Sequence, residues 1–371
     1  MKKIMVIFGT RPEAIKLCPV ILELQKFPKL FKLIVCVTGQ HKEMLEQVLK
    51  TFNVTPEYNL RLMKKNQSLF NLTSSCLIKV GEVLEAEKPN IVIIQGDTTT
   101  TFTAALAAFY MKIPVAHVEA GLRSGNNYSP YPEEMNRKIA SLITKYHFAP
   151  TDLNKNNLLR EGTKRNDIFV TGNTVIDSLL WVRGKIRRER ILYKELEGID
   201  FTKKIILVTG HRRENFGKKF NNICEAIKYI ADNYDVQIVY PVHLNPNVRK
   251  SVFKILNKTD NIKLIPPLDY EPFVYLMDKC TFIITDSGGI QEEAPTFKKP
   301  ILVTRDITER KEVLEIGSAF LVGTDIKNII KHAHILLSDK KAYDNMRNDI
   351  NPYGDGKSSR RIANILKDLN I

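Results

Sequence analysis

Cysteine is scarce in this chain of 371 residues, and its five cysteines follow no recognisable spacing. Their number is odd and no two of them form a CxxC pair, which argues against a disulfide framework and against a zinc site. We therefore expect free thiols in a reducing, cytoplasmic environment.

Long apolar runs are missing as well. The longest, such as residues 91–94, have the length of a β-strand, whereas a membrane-spanning helix needs about 20 apolar residues. The run after Met1-Lys2-Lys3 ends at Gly9-Thr10-Arg11, which is too short and too soon polar for a signal peptide. The sequence therefore predicts a soluble protein without a membrane partner.

Several motifs of common enzyme classes are also absent. The chain has no GxGxxG, so a nicotinamide cofactor is not indicated, and no HExxH or similar spacing, so a metal site is not indicated. It has no GxSxG elbow, which disfavours a serine hydrolase. Low-complexity segments and short repeats are absent too.

Positive charge is in excess, with 56 lysines and arginines against 41 acidic residues. Such a balance suggests an anionic partner. The basic residues are scattered and are not interleaved with aromatic ones, and the densest cluster, at 183–190, looks like one solvated helix face. We therefore expect a small phosphate-bearing substrate rather than nucleic acid.

The chain is rich in short β-branched runs separated by amphipathic stretches of helix length. Continuous apolar strands that alternate with helices predict a parallel sheet covered on both faces. A polar, basic stretch at 183–202 separates two such sets, so we expect two Rossmann-like, doubly wound α/β domains. The predicted strands are 4–8, 33–37, 91–94, 115–118, 147–149 and 168–171, then 205–208, 237–242, 262–265, 282–285, 301–303 and 320–322.

We place the first domain at 1–172 and the second at 173–356. The amphipathic helix predicted at 358–369 lies within a last segment, 357–371, that we expect to return to the first domain. Residues rich in glycine, histidine, arginine and carboxylate follow the strands, and open α/β sheets bind ligands outside the carboxyl ends of their strands. We therefore expect two facing sheet edges with the chemistry in a shared cleft.

Two of the strand exits suit a phosphate group. Ser287-Gly288-Gly289 opens a helix whose free N–H groups attract anions, and Glu293 in that helix could hold ribose hydroxyls. Arg11 and Lys16 in the first helix could neutralise a pyrophosphate. The alternatives are a plain N-cap at Ser287 and an ordinary helix start at Pro12.

Three carboxylates lie in or just beyond the loops of the first half: Asp97, Glu119 and Glu133, with Arg137 close by. General acid–base catalysis needs two carboxyl groups with different pKa values. Each of the three could instead be a solvated loop charge or a helix cap.

Histidines also gather at strand ends, at positions 41, 117, 211 and 243. His211 stands beside Arg212 and Arg213, which favours a hydrogen-bond donor or acid close to a phosphate. Phe273, which follows Pro272, is a core residue by default but could stack on a base.

At these positions the sequence closely resembles the non-hydrolysing UDP-N-acetylglucosamine 2-epimerases. The matching stretches are FGTRPEAIK at 8–16, GDTTTT at 96–101, HVEAGLR at 117–123, YPEE at 131–134 with NR at 136–137, TGNT at 171–174, GHRRE at 210–214, YPVHLNP at 240–246, TDSGGIQEEAP at 285–295 and NPYGDG at 351–356. The resemblance implies a glycosyltransferase-B type fold and a homodimer that works without metal or nicotinamide.

The resemblance also implies a reaction, the reversible conversion of UDP-GlcNAc to UDP-ManNAc, which would supply ManNAc units for cell-surface polysaccharide. The C2 proton is not next to a carbonyl, so its simple abstraction is prohibitive. The family eliminates UDP across C1–C2 to give a 2-acetamidoglucal, and adds UDP back after a proton reaches the other face. One carboxylate must remove the proton and another must return it.

The family's functional residues carry over to positions of this chain. Asp97, Glu119 and Glu133 match its acid–base residues, and His211 matches its catalytic histidine. Phe273 matches the uracil-side position and Glu293 the ribose-binding one. The groups that stabilise the departing UDP match Arg11, Lys16, Arg137, Ser287, Gly288, Gly289 and Arg310, of which Lys16 and Arg137 are expected to take part in catalysis.

The chain departs from the family pattern in three places, one of which is Gly39-Gln40-His41 in place of the usual Ala-Gln-His. The usual run of two threonines before Glu-Arg-Pro is Asp306-Ile307-Thr308-Glu309-Arg310-Lys311 here, which keeps the arginine. Some relatives bind a second UDP-GlcNAc as an allosteric activator. Gln40 and His243 match that site, whereas Glu43 and Asn66 stand where those relatives have glutamine and arginine.

Other functions remain open from the sequence. A hydrolysing relative would share the elimination step but release ManNAc and UDP, and a glycosyltransferase would use the same fold with an acceptor. A UDP-sugar sensor or a nucleic-acid binder would bind without turnover, and the set of carboxylates argues against it.

Overall fold

The structure is a computed structural model that describes residues 1–39, 42–62 and 67–370. It divides into two compact units, one formed by 1–181 with 353–371 and the other by 182–352. Each unit is a parallel sheet with helices between its strands, which confirms the doubly wound α/β class. In the described ranges, no helix has both the length and the apolar character to cross a membrane.

The first unit has the strand order β3-β2-β1-β4-β5-β6-β7. Its strands are β1 (Lys2–Phe8), β2 (Phe31–Val37), β3 (Tyr58–Asn59), β4 (Ile91–Gln95), β5 (Val115–Val118), β6 (Tyr146–Ala149) and β7 (Ile168–Val170). Its helices are α1 (Arg11–Gln25), α2 (Lys42–Phe52), α3 (Leu69–Glu87), α4 (Thr99–Tyr110), α5 (Glu133–Ile143), α6 (Asp152–Arg160) and the start of α7 (Thr174–Glu189). The chain order reverses between β1 and β4, where such sheets bind ligands.

The second unit has the strand order β10-β9-β8-β11-β12-β13 and reverses between β8 and β11. Its strands are β8 (Lys204–Thr209), β9 (Val236–Pro241), β10 (Ile262–Ile265), β11 (Phe282–Thr285), β12 (Ile301–Val303) and β13 (Ala319–Leu321). Its helices are α8 (Lys218–Asn233), α9 (Pro246–Leu256), α10 (Tyr270–Lys279), α11 (Gly288–Glu293), α12 (Lys311–Glu315), α13 (Ile326–Ser338) and α14 (Lys340–Asn345). The final helix, α15 (Ser358–Asp368), belongs to the first unit.

The central strands are buried on both faces, which explains why their sequences are continuously apolar. The side chains of Ile4, Phe8, Ile91 and Ile94 are all fully buried. Every predicted strand is present; four have the predicted ends, and the ends of the others are shifted by at most two residues. The sequence pattern missed β3, because a strand of two residues has no detectable periodicity.

The division between the units differs from the predicted boundary at 172/173. The first turns of α7 remain in the first unit, because Ser178 Oγ donates a hydrogen bond to the Ile15 carbonyl in α1. The backbone N–H of Asn173 donates to the Tyr353 carbonyl, 2.6 Å away, which also holds the end of the TGNT stretch in this unit. The change of unit therefore falls inside a helix, where no loop signal marks it.

Candidate active site

The best-defined cluster of polar groups in the first unit lies at the carboxyl ends of β1, β4 and β5, which are neighbours in the sheet. β1 leads into Arg11 at the start of α1, β4 leads into Asp97, and β5 leads into Glu119. The parallel direction of these strands brings the three exits to one edge. The polar residues that follow these three strands in the sequence thus lie at one edge of the sheet in the structure.

Glu119 is held tightly at this edge. Its carboxylate accepts hydrogen bonds from Lys16 Nζ, Gln95 Nε2 and, at 3.2 Å, Asn173 Nδ2. Its side chain is 8% exposed. Its φ of 65° lies in the left-handed region, a strained backbone that is found most often at functional sites. The carboxylate is therefore fixed in one orientation before any substrate binds.

Asp97 is held by the first half of α5. Its carboxylate forms an ion pair with Arg137, and its backbone carbonyl accepts a hydrogen bond from Asn136 Nδ2 at 3.0 Å. Arg137 also donates to the buried Glu134, at 2.9 Å. Burial acts to lower the pKa of Arg137, but Asp97, Glu134 and Glu119 outweigh it and raise that pKa. The arginine thus stays charged and links the carboxylates of the edge electrostatically.

The exits of β1 and β4 are joined by Glu13, which is 1% exposed. One carboxylate oxygen accepts from the backbone N–H groups of Gly9 and Thr10, at 3.0 and 2.8 Å. The other accepts from the hydroxyls of Thr98 and Thr101, at 2.7 and 3.2 Å. Burial raises the pKa of Glu13, and these hydrogen bonds act in the opposite direction. Glu13 thus binds the loops that carry Arg11 and Asp97 to each other.

Glu133 is placed differently from the other two predicted acid–base residues. It is the first residue of α5 and is half-buried, and the described part of the chain supplies its carboxylate with no hydrogen bond or ion pair. By contrast, a β-carbon at Gly96 would lie 3.7 Å from Glu119 Oε2, so the turn before Asp97 abuts Glu119. The structure therefore brings Asp97 and Glu119 together, whereas an acid–base role for Glu133 stays a prediction.

In the second unit, the exits of β8 and β11 are joined by Asp286, which is fully buried. Its carboxylate accepts from the backbone N–H groups of His211 and Arg212, at 3.0 and 2.9 Å, and from Asn215 Nδ2 at 3.3 Å. The His211 ring stacks on that of His243, with centroids 5.1 Å apart. Burial lowers the pKa of His211, which Asp286 partly opposes, so the ring is neutral near pH 7.

Arg310 lies over the turn that opens α11. Its guanidinium forms an ion pair with Glu292 at 2.8 Å, and a β-carbon at Gly288 would lie only 3.0 Å from its Cζ. Gly289 is open, because the nearest atom to a β-carbon there is Ser287 Oγ at 3.9 Å. A side chain at position 288 would therefore push the guanidinium away from the backbone by a few tenths of an ångström. Fixed cations beside free N–H groups suit an anionic ligand.

The loop that departs from the family pattern is braced by Arg305, which donates to Glu214 and Glu309, both at 2.8 Å. Although burial opposes it, the bond to Arg305 lowers the pKa of Glu309 to about 2. Thr308 Oγ1 donates to Gln291 Oε1 in α11 at 2.7 Å. The altered loop thus still delivers Arg310 to the start of α11.

The remaining predicted binding residues are less constrained. Phe273 is half-buried in α10, and Glu293 is the last residue of α11 with 9% exposure. His243 is exposed beside His211. Gln40, the other residue predicted for an allosteric site, lies outside the described residues, so that site stays a prediction.

Sequence reasoning missed the residues that position the reactive groups. These are Glu13, Gln95, Glu134, Asn173, Asp286 and Glu292. All lie inside or next to the stretches that carry the resemblance. The spacing Thr10-x-x-Glu13 is that of a capping box, which was the available signal for Glu13. The others are recognisable only from their neighbours in space.

The chain is similar to known UDP-N-acetylglucosamine 2-epimerases over its whole length. A family model described as UDP-N-acetylglucosamine 2-epimerase matches residues 23–367. The UDP-N-acetylglucosamine 2-epimerase of Escherichia coli strain K12 is 51% identical over 374 residues, which cover 100% of this chain and 99% of the relative. The crystal structure of Neisseria meningitidis UDP-GlcNAc 2-epimerase bound to UDP-GlcNAc is 49% identical, with a TM-score of 0.92 over 98% of this chain and 99% of that chain.

A more distant structure shows a likeness of fold alone. Acinetobacter baumannii MurG is 15% identical, with a TM-score of 0.59 and full coverage of both chains.

Proposed function

The chain belongs to the non-hydrolysing UDP-N-acetylglucosamine 2-epimerase family, and from this we propose that it interconverts UDP-GlcNAc and UDP-ManNAc. Its fold is of the glycosyltransferase-B type, with two Rossmann-like domains. The observation that carries the proposal is the pair of carboxylates, Asp97 and Glu119, each bound to a basic side chain at one sheet edge. We expect the product to supply ManNAc units for a cell-surface polysaccharide.

The proposed reaction starts with elimination. A carboxylate takes the C2 proton while the C1–O bond to UDP breaks, which leaves a C1=C2 double bond and UDP as the leaving group. A second carboxylate then delivers a proton to the opposite face of C2, and UDP adds back at C1. Asp97 and Glu119 are assigned this proton transfer because Arg137 and Lys16 hold them in place. Glu133 is a third candidate.

Binding of UDP is assigned mainly to the second unit. Arg310, Ser287, Gly288 and Gly289 offer fixed charge and backbone N–H groups to the diphosphate, which stabilises the leaving group as it departs. A neutral His211 can donate one hydrogen bond to a phosphate oxygen. Three further contacts rest on the family resemblance: Phe273 with uracil, Glu293 with ribose and Arg11 with the diphosphate.

We further propose that the chain forms a homodimer. Helices α3, α4 and α5 pack side by side in the first unit and expose large apolar side chains. These are Phe70, Ile78, Phe109, Tyr110 and Leu142. Apolar side chains exposed on neighbouring helices are typical of a protein interface. Light scattering should give twice the chain mass, and Leu142→Glu should shift it toward the monomer.

A cytoplasmic location stays a prediction. It is supported by the five cysteines, which are all free thiols in buried positions.

Proton NMR in deuterated water tests the proposed reaction directly. UDP-GlcNAc incubated with the pure protein should give both epimers still joined to UDP, with deuterium at C2. Unchanged substrate at high protein concentration would overturn the proposal. Free ManNAc with a stoichiometric amount of UDP would instead indicate the hydrolysing reaction, and UDP release that depends on an added acceptor would indicate a glycosyltransferase.

A further inference from the structure

A buried histidine links the two strand exits that carry the proposed catalytic carboxylates. His117 is the third residue of β5, two positions before Glu119, and it is fully buried. Its Nε2 lies 2.7 Å from the carbonyl oxygen of Gly96, the residue directly before Asp97. The N–H of Gly96 donates to the Val118 carbonyl, 3.1 Å away, so β5 holds the Gly96 backbone by both of its polar groups.

The ring of His117 has a definite protonation state. A carbonyl oxygen only accepts, so Nε2 carries the hydrogen. Burial lowers the pKa of His117 to about 4, which keeps the ring neutral at ordinary pH. Nδ1 is then a bare acceptor, and it has no hydrogen-bond partner among the described residues. An unsatisfied buried acceptor is unfavourable, and a phenylalanine at position 117 would not have one. The hydrogen bond to Gly96 is therefore the favourable interaction that histidine provides at this position.

We propose that His117 is a positioning residue for the epimerisation, acting through the turn formed by Gly96 and Asp97. Gly96 has a φ of 73°, in the left-handed region, so this turn needs support to keep a single geometry. The hydrogen bond sets the direction in which Asp97 leaves β4 relative to Glu119. Arg137 then holds the side chain of Asp97 in that position. The inference rests on the proposed function, because the effect is on proton transfer at the substrate.

The chain contains a matched control in His147. It pairs with His117 in the register of β5 and β6, is 1% exposed, and also has an Nδ1 without a partner among the described residues. Its backbone hydrogen bond goes to Thr144, the residue after the end of α5, and not to a loop that carries a catalytic group. Replacement of either ring should perturb the core to a similar degree.

The test compares His117→Phe and His117→Gln with the same substitutions at His147. Phenylalanine keeps a ring without a donor, and glutamine keeps a donor near the position of Nε2. We expect His117→Phe to lower kcat about tenfold or more with KM within about threefold, because a misplaced catalytic group slows the reaction but leaves UDP binding intact. His117→Gln should recover most of kcat, and both His147 variants should stay within about threefold of the unmodified protein.

A double variant tests whether the effect passes through Asp97. If it does, His117→Phe combined with Asp97→Asn should be as slow as Asp97→Asn alone. The inference would be overturned if the double variant lost kcat by the product of the two single losses. It would also be overturned if His117→Phe and His147→Phe lost kcat equally, or if His117→Gln were no faster than His117→Phe. Should His117→Phe fail to fold, His117→Asn takes its place, since its shorter amide does not reach Gly96. An unmodified protein without epimerase activity would instead refute the proposed function itself.

Discussion

The two units build their reactive edges from the same kinds of residues with opposite roles. In the first unit, two carboxylates are the proposed working groups, and cations hold them: Lys16 holds Glu119 and Arg137 holds Asp97. In the second unit a cation is the proposed working group, and buried carboxylates hold its surroundings: Glu292 holds Arg310, and Asp286 holds the backbone at His211.

This contrast shows how one type of sheet edge can serve two kinds of chemistry. A carboxylate fixed by cations and amides can exchange protons at a defined point, whereas a guanidinium fixed beside a glycine turn attracts a phosphate. We expect changes in the first unit to affect mainly kcat and changes in the second to affect mainly the affinity for UDP.

The largest effect is expected for Asp97→Asn and Glu119→Gln. Each removes a proton-transfer group while keeping its shape, so kcat should fall about 10²-fold or more, with UDP affinity unchanged within a small factor. Steady-state kinetics and calorimetric titration with UDP would measure the two quantities. Asp167→Asn serves as a control, because Asp167 pairs with Lys145 in an ion pair away from the strand exits. Loss of UDP binding together with rate would show that the two carboxylates are structural.

His211 should give the next largest effect, because it combines a proposed catalytic role with a position in the second unit. His211→Phe, which keeps a ring but has no N–H donor, should lower kcat about 10- to 100-fold through loss of the donor to the leaving group. His243→Phe, which alters only the stacked neighbour, should cost less. An equal loss in both variants would assign the effect to the stacked pair rather than to His211.

A smaller effect on binding is expected at the glycine turn. Gly288→Ala places a methyl group 3.0 Å from the Arg310 guanidinium, so UDP affinity should fall about tenfold and the melting temperature should drop. In the protein without ligand, Gly289→Ala meets open space and should keep or raise the melting temperature, since alanine favours a helix by about 1 kcal/mol. If both variants destabilise the protein equally, the close approach of Arg310 is not the cause.

The smallest effect on activity, but a clear one on stability, is expected for His147→Gln. Burial lowers the pKa of His147 to about 4, below the roughly 6.5 of an unfolded histidine. At a pH between these two pKa values, the unfolded chain binds a proton at His147 and the folded chain does not. The free energy of unfolding therefore falls as the pH falls, by up to about 1.4 kcal/mol per pH unit for one proton.

Urea unfolding at pH 7, 6 and 5 would show this slope, which should be flatter for His147→Gln. His334→Gln is the control, because that ring is exposed on α13. An unchanged slope in the His147 variant would mean that its burial does not govern the acid sensitivity.

Much of the fold could be predicted because strand and helix patterns are local. The central strands are recognisable by their continuous apolar residues, and the residues directly after them, Asp97 and Glu119, are recognisable by their position at strand exits. The bracing roles of Glu13 and Asp286 could not be identified in this way, since each carboxylate binds groups that are far apart in sequence. The distinction between Glu133 and Glu134 was also out of reach, because one residue along a helix turns the side chain by about 100°.

By itself, the sequence determined the class of fold, the existence of two units and the strand exits that carry the reactive groups, because periodicity and chain direction are properties of short segments. Only the tertiary structure decided which partner holds each reactive group, that Arg310 approaches the backbone at Gly288, and that His117 donates to the turn before Asp97. Those contacts join residues distant along the chain, and their geometry follows from how the strands and helices pack.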